Sequence, residues 1–324
     1  TIGGFYPPRG KAMARTKVLL DTDIGTDSDD ALCLMYLLAQ RECELVGITT
    51  VGVDAADRAA VADALCHHVG RDQVPIAAGA DRPLAPSPYW HSHRVNQVAI
   101  LDRWPARRSY PPDQALDLMR RVIHDNPGQV VLITVGMLTN LALLAAVDPA
   151  AVGKLRGIYT MTGRLQPCDP DMRPECNTML DPGASMSIFS RGLANHRVVG
   201  LNVTAGRAID LDQARAMFAG ERFDPLIECG RCWGEQRKRM AISLHDPATT
   251  ALVCRPDLAT WRRGRIGIKL FDHKPGDSGE VFPEDQMLAA TYFEPDPGGP
   301  HAMADASQGQ AIQREVTDTV ASLG

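Results

Sequence analysis

The sequence predicts an α/β fold: a single large domain on an open, mostly parallel sheet flanked by helices, with irregular lid loops. Three observations predict it. Strand-like apolar runs alternate with helix-like segments along most of the chain. Acids, amides and glycines recur just after the strand-like runs, where open parallel sheets bind ligands. At 324 residues and 44% hydrophobic content the chain is long enough to bury a large core.

Taken in order, residues 18–20 form a short apolar run, read as a buried strand that continues through Asp23. Residues 31–38 then read as a helix with Asp29 and Asp30 in its first turn. Residues 44–51 are rich in β-branched side chains, which favours a strand, and 57–69 keep helical spacing. Another short strand, 74–78, is closed by Gly79. From 81 to 112 the chain is proline-rich and carries Trp90, His91, His93 and Trp104; an irregular stretch that long reads as a lid or binding loop.

Periodicity returns with a helix at 114–125, a buried strand at 130–135, a helix at 138–146 after a Gly136 turn, and a strand at 154–161. A second irregular stretch covers 162–174. Pro182 stands where a helix begins, the position at which its missing N–H is tolerated best. Residues 197–203 are expected as a strand, and 210–219 and 226–244 as helices. Beyond Trp261 the pattern shifts to short strands at 264–271 and 287–293 and a last helix near 308–322. No fixed-period repeat and no linker divides the chain.

Composition narrows the function. A net charge of -5 without a basic block argues against a nucleic-acid partner. No apolar run reaches the length of a membrane span. Eight cysteines in so long a chain do not make a disulfide scaffold. Cys33, Cys43, Cys66 and Cys254 lie among apolar neighbours and read as small core residues, and Cys229 and Cys232 form a lone C-x-x-C. A reduced, cytoplasmic protein is the expectation. Residues 1–15 read as an extension, with Met13 as a natural start, and 16–324 as the domain.

The first strand-to-helix connection holds Asp21, Asp23, Asp27, Asp29 and Asp30 within ten positions. Two carboxylates about 5 Å apart at an effective dielectric of about 20 repel by about 3 kcal/mol, so positive charge belongs among them. A Lys or Arg from elsewhere, the helix N-terminus or a hard divalent cation would each serve. Polar residues follow other strands too: Asp54 after the second, and Asn202 with Thr204 near the sixth. Two later stretches add Glu175-Cys176-Asn177 and His245-Asp246-Pro247. Asp246 reads either as a helix cap or as the carboxylate that raises the pKa of His245.

Six stretches carry a resemblance: DTDIGTDSDDALCL, VGITTV, VPIAAGADRPL, VLITVGMLTNLA, ECNTMLDP and LHDPATTALV. In order and approximate spacing, from about residue 17 to 258, the chain resembles the inosine-uridine-type nucleoside hydrolases. The resemblance implies a Rossmann-like domain that hydrolyses the N-glycosidic bond of ribonucleosides to ribose and free base, in salvage, as a homodimer or homotetramer. It implies Ca²⁺ held by Asp23, Asp30, Asp246 and the Val135 carbonyl, with Asp23 taking a proton from the attacking water. It implies ribose hydroxyls held by Asp29, Glu175 and Asn177, with Asp54 and Met161 near the sugar. Such residue types suit an oxocarbenium-like transition state, which carboxylates stabilise. The departing base leaves better when protonated, and His245 is the candidate acid.

The chain departs from the family pattern at several positions. Thr26-Asp27-Ser28 stands between Gly25 and the paired aspartates, where the family has one residue. Treating two residues as inserted keeps Asp29 and Asp30 in register; the ungapped reading puts Asp27 on the sugar and Ser28 at a metal position. Asp54 stands where asparagine is common, and Val135 replaces a threonine. The lid carries His91-Ser92-His93-Arg94 instead of a glycine-rich pattern; one of its histidines would reach the base, or both are simply solvated. Two competing functions are a catalytically silent nucleoside or ribose binder and a haloacid-dehalogenase-type phosphatase. The latter would want Thr or Val where Gly25 stands.

Overall fold

Asp21 and Asp23 owe their placement to the first strand, which lies inside a parallel sheet. The computed structural model describes residues 15–87, 89–165, 174–272 and 287–323. The extension expected at 1–15 lies outside these apart from Arg15, as does 166–173 of the second irregular stretch. The described strands are Thr16–Thr22 (β1), Cys43–Thr50 (β2), Ile76–Ala78 (β3), Val130–Thr134 (β4), Gly157–Met161 (β5), His196–Val199 (β6), Ala208–Asp210 (β7), Ala241–Ser243 (β8), Ala259–Asp272 (β9), Met287–Pro295 (β10) and His301–Ser307 (β11). Nine of them form one sheet in the order β10-β9-β11-β6-β5-β4-β1-β2-β3. From β11 to β3 every pairing is parallel. Only β9 runs against its neighbours.

The expected open, mostly parallel sheet is therefore present, and helices cover both faces. Side chains alternate along each strand. Val18 and Leu20 join a core with the helices Asp29–Ala39, Ala55–His68, Asp224–Arg237 and His245–Cys254. Leu19 faces the opposite core, with the helices Ala115–Asp125, Thr139–Val147 and Pro182–Ser190. Strands buried on both faces read as continuous apolar runs, which is why residues 18–20 and 130–135 were legible. Among the described residues no helix is long and apolar enough to cross a membrane.

Two expectations need correcting. The strand expected at 197–203 ends at Val199, and Leu201–Thr204 is a single helical turn. The cause is Gly200: a Cβ there would lie 2.7 Å from the Gly163 carbonyl, which instead accepts the Leu201 N–H at 2.7 Å. The helix expected at 226–244 stops at Arg237, because Lys238 takes the left-handed conformation (φ 54). Residues 241–243 then pair with β7 as β8. Finally, β7 and β11 are strands that periodicity did not reveal.

Candidate active site

The C-terminal ends of β1, β2, β4 and β5 meet where open α/β sheets place ligands. Asp21 turns out to be an anchor: fully buried, it accepts from Thr49 Oγ1 at 2.6 Å and Asn140 Nδ2 at 2.8 Å. Burial pushes its pKa up to about 7. The turn at Gly136 packs directly on the next acid, since a Cβ there would meet Asp23 Cβ at 3.0 Å and Val51 Cγ1 at 2.9 Å.

Asp29, Asp30 and Asp246 converge, with one oxygen from each within 4.8 Å of the others, all three buried. The first two open one helix and the third opens another, so helix packing joins chain positions more than two hundred residues apart. Asp30 also accepts from Thr22 Oγ1 at 2.5 Å, and the Asp246 N–H donates to Asp29 Oδ2 at 3.4 Å. Burial holds all three carboxyls well above the usual range, reinforced by the charges of Asp27 and Asp30 on Asp29, of Asp23 on Asp30, and of Asp29 and Asp30 on Asp246. Among the described residues no lysine or arginine pairs with them. An all-oxygen, acid-rich pocket of this kind fits a hard divalent cation.

Asp23 is not part of that trio. Its Oδ2 lies 3.3 Å from His93 Nε2. Burial works to raise its pKa, but His93 and Arg58 outweigh burial and hold it below the ordinary value. Burial opposes the charged form of His93, yet the Cys176 sulfur and the Asp23 carboxylate lift its pKa to about 10. The two lid histidines therefore differ. His91 stays exposed against Trp90, with ring centroids 3.8 Å apart, as a solvated residue would; the simple solvated reading does not hold for His93, which turns inward. Its Nδ1 sits 3.7 Å from Cys176 Sγ.

His245 carries the opposite tendency. Its Nδ1 meets Thr204 Oγ1 at 3.0 Å. Burial lowers its pKa, with Asp27 and Glu175 opposing. The neighbouring Asp246 belongs to the trio and does not charge it. Asp27 is partly exposed, accepts from the Ser28 N–H, and is itself raised by burial.

Residues 18–302 match the inosine-uridine preferring nucleoside hydrolase family. The chain belongs to that family. This nucleoside hydrolase family member is 27% identical to uridine nucleosidase 1 of Arabidopsis thaliana, over 78% of each chain. It is 28% identical to the inosine-uridine preferring nucleoside hydrolase of Crithidia fasciculata, over 78% of this chain and 84% of the relative. Its fold superposes on a plant nucleoside hydrolase with a TM-score of 0.73 at 22% identity, covering 95% of this chain and 99% of the other. A purine-preferring ribonucleoside hydrolase from Gardnerella vaginalis gives 0.72 at 20% identity, covering 95% and 98%.

The remaining expected site residues of this family member sit at or just beyond the ends of β2, β4 and β5 or open the short helix that follows. Glu175 caps the short helix Cys176–Leu180, accepting from the N–H groups of Asn177 and Thr178, and Oε2 also takes Thr162 Oγ1 at 2.9 Å. Asn177 Nδ2 bridges the carbonyls of Val135 (2.6 Å) and Met161 (3.0 Å), tying β4 to β5. Asp54 holds a left-handed conformation (φ 65) and pairs with Arg94 at 3.2 Å. Asn202 points elsewhere, donating to the Ala304 carbonyl. Sequence reasoning missed Arg58 and Gln97, both fully buried beside the acidic loop. A lone arginine within the small-residue helix around Ala55–His68 was the one available signal.

Proposed function

We propose that the chain hydrolyses the N-glycosidic bond of ribonucleosides with the help of a divalent cation, Ca²⁺ by the oxygen-only donor set. The observation that carries the reading is the buried Asp29, Asp30 and Asp246 trio, which needs positive charge. These three carboxylates would hold the ion, with the Val135 carbonyl and Asp23 alongside. Bound there, the ion supplies Lewis acidity and lowers the pKa of a water.

The protein's own groups do the rest. Asp23, kept ionised by His93 and Arg58, is the acceptor for the water's proton. Asp27, Glu175 and Asn177 line the sugar side, and the carboxylates stabilise positive charge as it grows on the ribose ring. His245 Nδ1 is engaged by Thr204, so Nε2 is the atom that delivers a proton to the departing base. The protein acts as a homodimer or homotetramer, checked by light scattering.

The test is a panel of inosine, uridine, cytidine, adenosine and guanosine, assayed for reducing sugar with and without chelator. Release from at least one nucleoside, lost with chelator and restored by Ca²⁺, is the expected result. Saturable nucleoside binding without release of base would instead identify a silent binder.

A further inference from the structure

We propose that Arg58 is a positioning residue for the hydrolysis, clamping the acidic loop and the lid into one fixed relation; this rests on the hydrolase reading above. The side chain is fully buried, at 0% exposure. Its Nε donates to the Val53 carbonyl at 2.9 Å. Nη1 donates to the Asp23 carbonyl, to the Ile24 carbonyl at 3.1 Å and to Thr26 Oγ1 at 3.0 Å. Nη2 donates to the His93 carbonyl. One planar group therefore binds the turn after β2, the loop after β1 and the lid.

No carboxylate is among these acceptors, so Arg58 grips the loop through carbonyls and a hydroxyl, while its charge acts on Asp23 and Asp30 through space. Burying a cation is costly, and here charge-assisted hydrogen bonds to carbonyls offset that cost. Only the rigid five-donor fork of a guanidinium spans such a set; a lysine ammonium is a point charge. Gln97, also fully buried, staples the same junction, its Nε2 donating to the carbonyls of Thr26 and Asp27 at 3.0 Å each. The Asn96 and Gln97 N–H groups both reach the Gly25 carbonyl, at 2.9 and 3.1 Å. With the backbones of residues 23 and 93 fixed to one guanidinium, their side chains meet at 3.3 Å. The lid segment 93–97 is thus a fixed wall of the site.

The experiment compares wild type with Arg58→Lys and Arg58→Ala for kcat, KM and thermal melting, and for the rate of trypsin cleavage after the exposed Arg94. Misplacing a catalytic group by about 1 Å costs about 10²-fold in rate. Arg58→Lys should therefore lower kcat about 10²-fold with KM within about threefold, and Arg94 should be cut faster well below the melting transition. Millimolar guanidinium, unlike equal urea, should restore part of the Arg58→Ala activity; if that variant does not fold, Arg58→Lys decides alone. An unchanged kcat in Arg58→Lys, or a lowered kcat with unchanged cleavage at Arg94, overturns the proposal. If the wild type has no nucleosidase activity, the hydrolase reading fails, while the Arg94 comparison still judges the clamp.

Discussion

His245 is half-buried and feels the charges of Asp27 and Glu175, yet burial tips its imidazole toward the neutral form. A general acid with a low pKa gives up its proton readily, and its value depends on how badly the leaving group needs one. His245→Ala should therefore cut turnover of a natural nucleoside by about 10²-fold or more, while p-nitrophenyl riboside, whose leaving group needs little protonation, changes far less. Equal losses on both substrates would remove His245 as the acid. At this scale the carboxylates were legible in the sequence because so many acids in one loop call for positive charge among them. Arg58 and His93 were not. Their chief partners are backbone carbonyls and a residue seventy positions away, and neither leaves a trace in local composition.

At the scale of elements, the pairing of β6 with β11 buries two imidazoles. His196 and His301 are register partners and almost wholly buried, His196 stacked on Phe189 and His301 edge-on to it. His196 Nε2 meets Thr160 Oγ1 at 2.9 Å, and His301 Nδ1 accepts the Ile266 N–H at 3.0 Å. Burial pushes their pKa values down to about 3 and about 4. Because these folded values lie below the unfolded value near 6.5, the unfolded chain binds protons first. Their contribution is complete above about pH 6.5 and is lost as pH falls toward 4, by about 1.4 kcal/mol per pH unit for each histidine. His196→Gln with His301→Asn keeps acceptors in place and removes the titration. Urea midpoints between pH 7 and 4.5 should fall less in that double variant than in wild type; parallel curves would refute the assignment. The same pairing shows where sequence reading stopped. β11 is built of His, Ala, Met, Asp and Ser, without the β-branched residues that mark β2, and β7 and β8 are three residues long.

At the scale of the whole molecule, the parallel order from β6 to β3 carries three loops to one end of the sheet, and the helix that starts at His245 delivers Asp246 from the far part of the chain. The fold thus works against itself electrostatically, since packing the helices at 29 and 245 together forces three acids into one buried space. An ion that binds only the folded chain adds about 2.7 kcal/mol at a hundredfold excess over Kd, worth several degrees of melting temperature. Removing one acid should do the reverse of the usual buried substitution. In chelator, Asp246→Asn should melt higher than wild type, because it relieves repulsion; in Ca²⁺ it should melt lower, because it loses the ion. The sign with pH follows from the raised carboxyl pKa values: the trio's contribution is greatest at acid pH and is lost as pH rises. The advantage of Asp246→Asn in chelator should accordingly grow from pH 5 to pH 8. A variant that melts lower than wild type in chelator at pH 8, or still gains stability from Ca²⁺ as wild type does, would show that these carboxylates are not gathered around a cation.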